Sequence, residues 1–176
     1  NALMIYQGIM EVLKKYLDNK TLVCKSGLTS FEDTCILRWS EKKAEEICLL
    51  TLNQFYKEES VDIICSAFDG YCYGVKRALL SSGYDMNNWP LITGQDAEKA
   101  AVNNIMNGYQ SMSVYKDTRE LAARCVNLVQ AVLEGTQPEI NDTTQYYNGK
   151  LTVPAYLCTP VIVDLTNYEK ELIEGG

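Results

Sequence analysis

The chain has 176 residues, 47% of them hydrophobic, which suffices for one ordinary domain with a real core and excludes a disordered segment. A formal net charge of -7 removes the electrostatic footprint of a nucleic-acid or anionic-membrane binder, so a neutral or cationic partner fits more easily. No apolar run approaches the roughly 18 residues of a membrane span, the first residues carry no basic-then-apolar signal pattern, and seven cysteines without a histidine or a Cys-x-x-Cys pair exclude an ordinary zinc site.

Residues 2–18 alternate as an amphipathic helix, with Ile5, Ile9, Val12, Leu13 and Leu17 near one face and Lys14 and Lys15 opposite. Asn1 already occupies that helix's cap position, where a parallel α/β domain would have placed a strand first. The expectation is therefore a fragment that starts inside a βα unit. A short strand is predicted over residues 20–25, followed by a polar loop over 26–39 that ends in Leu37-Arg38-Trp39. Ser40 then caps a helix to about residue 58, with Ala44, Cys48, Leu52 and Phe55 on its inner stripe. Cys48, Cys65 and Cys125 fall on apolar positions and are expected to be small buried hydrophobes; a disulfide between Cys24 and Cys35 stays open.

The run from Val61 to Gly70 reads as a strand ending at Asp69, and a helix follows to about residue 82 with Val75, Ala78 and Leu79 inward. A turn rich in Gly, Asn, Asp and Pro leads to a strand at Leu91-Ile92, then a helix over 96–107 stopped by Gly108. Residues 110–115 form the next strand. Asp117-Thr118-Arg119-Glu120 has capping-box spacing, and Leu121, Cys125, Leu128, Val129 and Val132 carry a helix to Gly135. Residues 137–150 read as connection plus a short strand, residues 151–163 as an extended segment kept off a sheet centre by Pro154 and Pro160, and residues 167–174 as a short terminal helix. The fold class is α/β: a three-layer αβα arrangement around an open, mostly parallel sheet.

Three strand ends bring Asp69, Asp96 and Lys116 to what should be one carboxyl edge, where open α/β sheets bind ligands. Each carboxylate has a second reading as a helix N-cap, whose oxygens accept backbone N–H groups. Trp39 also has two readings. Its indole either pins the loop to the core or stacks on the apolar face of a sugar ring, and Arg38 beside it either forks onto hydroxyls or stands in solvent.

The residues Leu37-Arg38-Trp39, Phe68-Asp69-Gly70, Gly94-Gln95-Asp96-Ala97, Tyr115-Lys116-Asp117-Thr118-Arg119-Glu120-Leu121, Pro138-Glu139, Asn141-Asp142-Thr143 and Val153-Pro154 carry a resemblance. The chain resembles the C-terminal part of bacterial xylose- and glucose-type periplasmic sugar-binding proteins, the type I (ribose-binding-like) solute receptors of ABC importers. The likeness runs over essentially all of it. It implies a C-terminal sugar-binding lobe over residues 1–115 and 151–176, an excursion over 116–150 that packs on an N-terminal lobe, and a missing first half. It also implies Asp96 and Lys116 as polar sugar ligands, Trp39 as the stacking aromatic and Asn1 as the asparagine before the lobe's first helix. Phe68 departs from the xylose-type pattern, which has asparagine there, and leaves the sugar's identity open; Asp69 then reads as a cap before a ligand.

The functional expectation is thus the C-terminal part of an extracytoplasmic receptor, periplasmic or lipid-anchored outside the cell, that captures a pentose or hexose for ABC import. No cofactor and no metal are expected, and no catalytic residue. A sensor that reports sugar to a membrane kinase uses the same pocket, and an enzyme on a small polar substrate is the weaker alternative, because the usual Gly-x-Ser-x-Gly, P-loop and dinucleotide motifs are missing. The expected partners are a monosaccharide, the missing lobe, a permease or membrane sensor, and a homodimer or swapped assembly that covers the Leu121, Cys125, Leu128, Val132 stripe. Nucleic acid is not among them.

Overall fold

The structure, a computed structural model, describes residues 1–174. Its chain divides into two compact units, one of Asn1–Val114 with the segment from Ile162 onward, the other of Tyr115–Val161.

The first unit opens with α1 (Ala2–Asp18). After a loop come α2 (Phe31–Thr34), a single 3₁₀ turn at Leu37–Trp39 and α3 (Glu41–Phe55), whose first turn is capped by the Ser40 hydroxyl accepting from the Lys43 N–H at 3.2 Å. Then β1 (Ile63–Ile64), α4 (Asp69–Ser81), β2 (Leu91–Ile92), α5 (Lys99–Met106) and β3 (Met112–Tyr115) alternate in the order that parallel α/β units require. The last strand, β4 (Val161–Asp164), lies beside β3. Apart from their end residues Tyr115 and Val161, both belong to this unit. β1 and β2 are parallel, with Ile63 opposite Leu91 and Ile64 opposite Ile92, and the parallel bridge of Gln95 to Val114 carries the β2 line onto β3.

The core forms where the inner stripes of α3 and α4 meet β2: Leu52, Cys72, Val75, Leu79, Tyr84 and Ile92. Leu79 and Ile92 have no exposure, and each such side chain contributes roughly 1.5–3 kcal/mol of burial free energy. Burial pushes the Cys72 thiol up to about 12 and that of Cys48 to about 11, so both stay protonated and inert. Two devices close α3 on α4. Gly74 brings the helix backbones together, since a Cβ there would meet the Glu41 carbonyl oxygen and, at 3.0 Å, the Glu45 nitrogen. One turn further on, the Arg77 guanidinium bridges Glu41 (2.5 Å) and Glu45 (2.8 Å).

In the second unit, α6 (Thr118–Glu134) ends at Gly135 in the left-handed conformation. Arg124 binds Glu139 at 2.8 Å and stands 4.1 Å from the Tyr156 ring centroid. The Asn141 side chain pairs with both the N–H and the carbonyl of Leu157, and Asp142 bridges to Ala155, so this unit is held by local pairing more than by a core.

Several elements differ from the sequence expectation. No strand forms over 20–25: the Thr21 N–H is taken by the Asn19 side chain at 3.0 Å and that of Leu22 by the Tyr16 carbonyl at 3.0 Å, leaving neither for a ladder. The 26–39 loop contains α2, started by a capping box between Ser30 and Asp33. The expected box at Asp117 is different, because its carboxylate accepts from the N–H and guanidinium of Arg119 while Glu120 faces Arg124. Cys65 and Cys125 are exposed rather than buried, and Cys24 and Cys35 are free thiols. The terminal element is a π-helical turn at Glu169–Glu174.

Replacing Gly74 by alanine drives a methyl into the α3 backbone and should destabilise the chain by about 1–3 kcal/mol. A urea midpoint that does not fall would show that the two helices can separate at no cost.

Candidate functional site

Of the predicted site residues, Trp39, Phe68 and Asp69 meet at the start of α4. Trp39, Phe68 and Tyr71 form a triangle of rings. Trp39 and Tyr71 are stacked at 5.7 Å and 18°, and Phe68 meets Trp39 edge-on at 5.7 Å and 80° and Tyr71 at 5.6 Å and 83°. Offset stacking and edge contacts at these separations are the favourable arrangements of aromatic quadrupoles, worth about 0.5–1.5 kcal/mol per pair beyond burial. Tyr71 is buried and Trp39 partly exposed, so the triangle presents an aromatic surface backed from inside.

Directly after Phe68 comes Asp69, a carboxylate with no solvent exposure. Its Oδ1 accepts from Gln110 Nε2 (2.8 Å) and Ser113 Oγ (2.8 Å), and its Oδ2 from the Glu98 N–H (2.9 Å). Burial pushes its pKa above the ordinary 3.8, against the pull of those three donors. Asp69 does not cap its own helix in the usual way: Phe68 is the N-cap residue, and the Asp69 carboxylate instead holds the turn before α5.

That turn, Gly94 to Glu98, carries Asp96. The Asp69 N–H donates to the Gln95 carbonyl (3.0 Å), the Asp96 N–H to Val114 (2.9 Å), the Ala97 N–H to Ser113 Oγ (2.9 Å) and the Glu98 N–H to Asp69. These bonds explain why the expected helix over 96–107 begins only at Lys99, with Glu98 as its N-cap residue. Gly94 is required because a Cβ would strike Asp69 Oδ1 and Gln110 Nε2. Gln110 donates to both Asp69 and the Met112 carbonyl (3.0 Å), which fixes its amide orientation and leaves its buried Oε1 without a hydrogen-bond partner.

Backbone strain concentrates at the same places. Among the described residues five non-glycines have positive φ, and four of them are Arg38 (59°), Trp39 (53°), Asp96 (99°) and Ala97 (50°). Each such residue costs on the order of 1–3 kcal/mol and persists only where its surroundings over-determine it, a pattern typical of ligand-binding sites.

The structure therefore joins Trp39 and Phe68 by direct contact and links them, through Asp69, to the turn that bears Asp96. Asp96 and Arg38 are exposed side chains on that unit. Asn1 is exposed at the start of α1, its carbonyl accepting from the Ile5 N–H at 3.1 Å. Lys116 is exposed in the second unit. Sequence reasoning missed Tyr71, Gln110 and Ser113. Tyr71 had a signal, since it follows Phe68 by three residues and so shares its face at the head of a helix. Gln110 and Ser113 had none, because their partner Asp69 lies 41 and 44 residues away.

Known proteins resemble this chain over its whole length. The family described as "Periplasmic binding protein domain" matches residues 1–137. The multiple sugar-binding periplasmic receptor ChvE of Rhizobium radiobacter is 43% identical over 178 aligned positions, covering 100% of this chain and 50% of the receptor. The D-xylose-binding periplasmic protein of Haemophilus influenzae is 32% identical, with 100% and 49% covered. A crystal structure of an ABC transporter solute-binding protein from Clostridium phytofermentans with bound β-D-glucose superposes with a TM-score of 0.90 at 41% identity, over 97% of this chain and 52% of that one. The chain spans about half the length of the curated relatives it matches.

Removing the Asp69 carboxylate strands three donors, so Asp69→Ala should cost about 3 kcal/mol or more. Asp69→Asn tests the pKa. A carboxyl whose folded pKa is raised binds more protons folded than unfolded above pH 3.8, so its contribution to stability falls as pH rises through that window. The stability difference between the parent and the asparagine variant should decline over that range in urea titrations; a difference that grows with pH would mean the folded pKa is lowered instead.

Proposed function

The chain belongs to the periplasmic binding protein domain family, and from that premise we propose that it is the C-terminal half of an extracytoplasmic receptor that captures a monosaccharide for delivery to an ABC permease. The ligand is a pentose or hexose of the xylose or glucose kind. The observation that carries this reading is the aromatic triangle of Trp39, Phe68 and Tyr71 joined through Asp69 to the strained turn of Asp96. A pyranose has a C–H face and a rim of hydroxyls. Trp39 offers a flat apolar surface to the first, and the Asp96 carboxylate accepts from two neighbouring hydroxyls of the second. Asn1, Arg38 and Lys116 stay in the proposed ligand set on their chemistry alone, an amide and two cationic donors. Asp69 is assigned to the scaffold. Such a set holds an unchanged sugar, and the reading gives it no catalytic step.

The half-length match supports a second element of the proposal: a complementary half completes the site and covers residues 116–150. α6 has no buried residue, and Leu121 is 46% and Val132 68% exposed on the stripe that periodicity assigns inward.

Two tests follow. A micromolar receptor holds its ligand with about 8 kcal/mol, and losing two hydrogen bonds of roughly 1.5–3 kcal/mol each weakens binding by about two to four powers of ten. This chain alone should therefore bind glucose or xylose at roughly millimolar strength or worse, and the chain joined to a complementary half at micromolar strength, with Asp96→Ala losing about 1.5–3 kcal/mol in the joined form. Calorimetry across pentoses and hexoses reads all three quantities; no heat with any sugar in the joined form, or full affinity after Asp96→Ala, would sink the assignment. The isolated chain should also self-associate through α6, and Leu121→Glu with Val132→Glu should return it to a monomer in light scattering. A parent chain that is monomeric at every concentration would remove the argument for a covered face.

A further inference from the structure

We infer that Tyr71 is the positioning residue for Trp39: from its buried place on α4 it holds the indole by stacking and the strained backbone before it by a hydrogen bond, and so fixes the surface on which the ligand is received. The ligand-receiving clause rests on the receptor reading above; the positioning itself does not.

The need for such a residue comes from the backbone. Arg38 and Trp39 are consecutive non-glycine residues in left-handed conformations. An L side chain there crowds its own carbonyl, and a two-residue run relaxes toward ordinary φ unless both of its ends are held. One end is held by Ser40, which caps α3. The other end is Ile36, whose carbonyl accepts both the Trp39 N–H at 3.3 Å and the Tyr71 hydroxyl at 3.3 Å.

Tyr71 acts on the ring as well. Its own ring lies nearly parallel to the indole, 18° apart at 5.7 Å, whereas Phe68 touches the indole only edge-on. Phe68 is itself fixed, because its ring packs over Gly70 where no Cβ would fit. Of the two aromatic neighbours, Tyr71 alone grips both the ring of Trp39 and the backbone that leads into it. Its exposure is 9%, while Trp39 is partly exposed, so the tyrosine works from behind the surface. The second tryptophan makes the contrast: Trp89 spends its indole N–H on the Tyr109 carbonyl at 3.1 Å and packs edge-on against that ring, with ordinary backbone.

The test uses the 176-residue chain carrying Trp89→Phe, so that Trp39 is the single emitter. Acrylamide quenching and near-ultraviolet circular dichroism are read on the native baseline for the parent, Tyr71→Phe, Tyr71→Leu and Val75→Ala. Val75 is a buried core residue of the same helix outside the Trp39, Phe68 and Tyr71 triangle, so its variant reports destabilisation of α4. Tyr71→Leu should raise the quenching constant at least about threefold and remove most of the aromatic dichroism, Tyr71→Phe should keep the dichroism with quenching within about twofold, and Val75→Ala should move neither signal. Tyr71→Met repeats the reading with a longer side chain in case the leucine variant does not fold. If Tyr71→Leu and Tyr71→Met change the signals no more than Val75→Ala does, Tyr71 does not position Trp39. The two readings are kept apart by their samples: calorimetry of the joined form decides the receptor, while the positioning stands or falls on these spectra, recorded without sugar.

Discussion

A carboxylate with no exposure to solvent, that of Asp69, holds three segments of the first unit together. Asp69 loses its hydration on folding, a penalty that only well-placed donors can offset, and it finds three of them on two other segments: Gln110 and Ser113 around β3, and the Glu98 N–H before α5. Its own N–H reaches back to Gln95. The start of α4, the 94–98 turn and β3 are thereby tied at one point. Gly94 has no side chain because that point leaves no room for one.

What the knot secures is a turn that would not form alone. Asp96 and Ala97 have positive φ without being glycine, and every N–H from 96 to 98 is held by a partner from β3 or from Asp69. The Arg38–Trp39 turn repeats the design with aromatic rings in place of the carboxylate. In both cases stability gained in the buried framework offsets strain at a residue that the proposed reading gives to a sugar: a partly exposed indole face in one, an exposed carboxylate in the other. Rigid presentation matters for a neutral, well-hydrated ligand, because each hydrogen bond to it replaces one to water and leaves little net gain if the protein group must first be ordered.

The two units differ in how they are stabilised. The first has a continuous core in which α3 and α4 approach through Gly74 and bury Leu79 and Ile92 completely. The second relies on caps, local pairs and the Arg124 contacts, and its long helix keeps an apolar stripe in solvent. A unit built in this way is suited to be completed by another surface, in keeping with a chain that aligns with about half of each relative.

The sequence by itself determined the elements whose signals are local. α1 and α6 run where the 3.6-residue period and the end residues put them, and α3 starts at the Ser40 cap, because an amphipathic stripe and a cap are written within a few residues of each other. It also marked Trp39, Phe68 and Asp96 as the residues to watch, through the motifs that carry them. Tertiary structure alone decided the rest. Whether residues 20–25 pair as a strand depended on which acceptors the preceding helix offered, and whether Asp96 opened a helix depended on Val114, Ser113 and Asp69. The role of Asp69 was settled by donors 41 and 44 residues away, and the seat of Trp39 by Tyr71 from a different helix. A hydrogen bond or ring contact between distant segments leaves no periodicity in the chain, so it exists only once the fold has brought both partners to the same place.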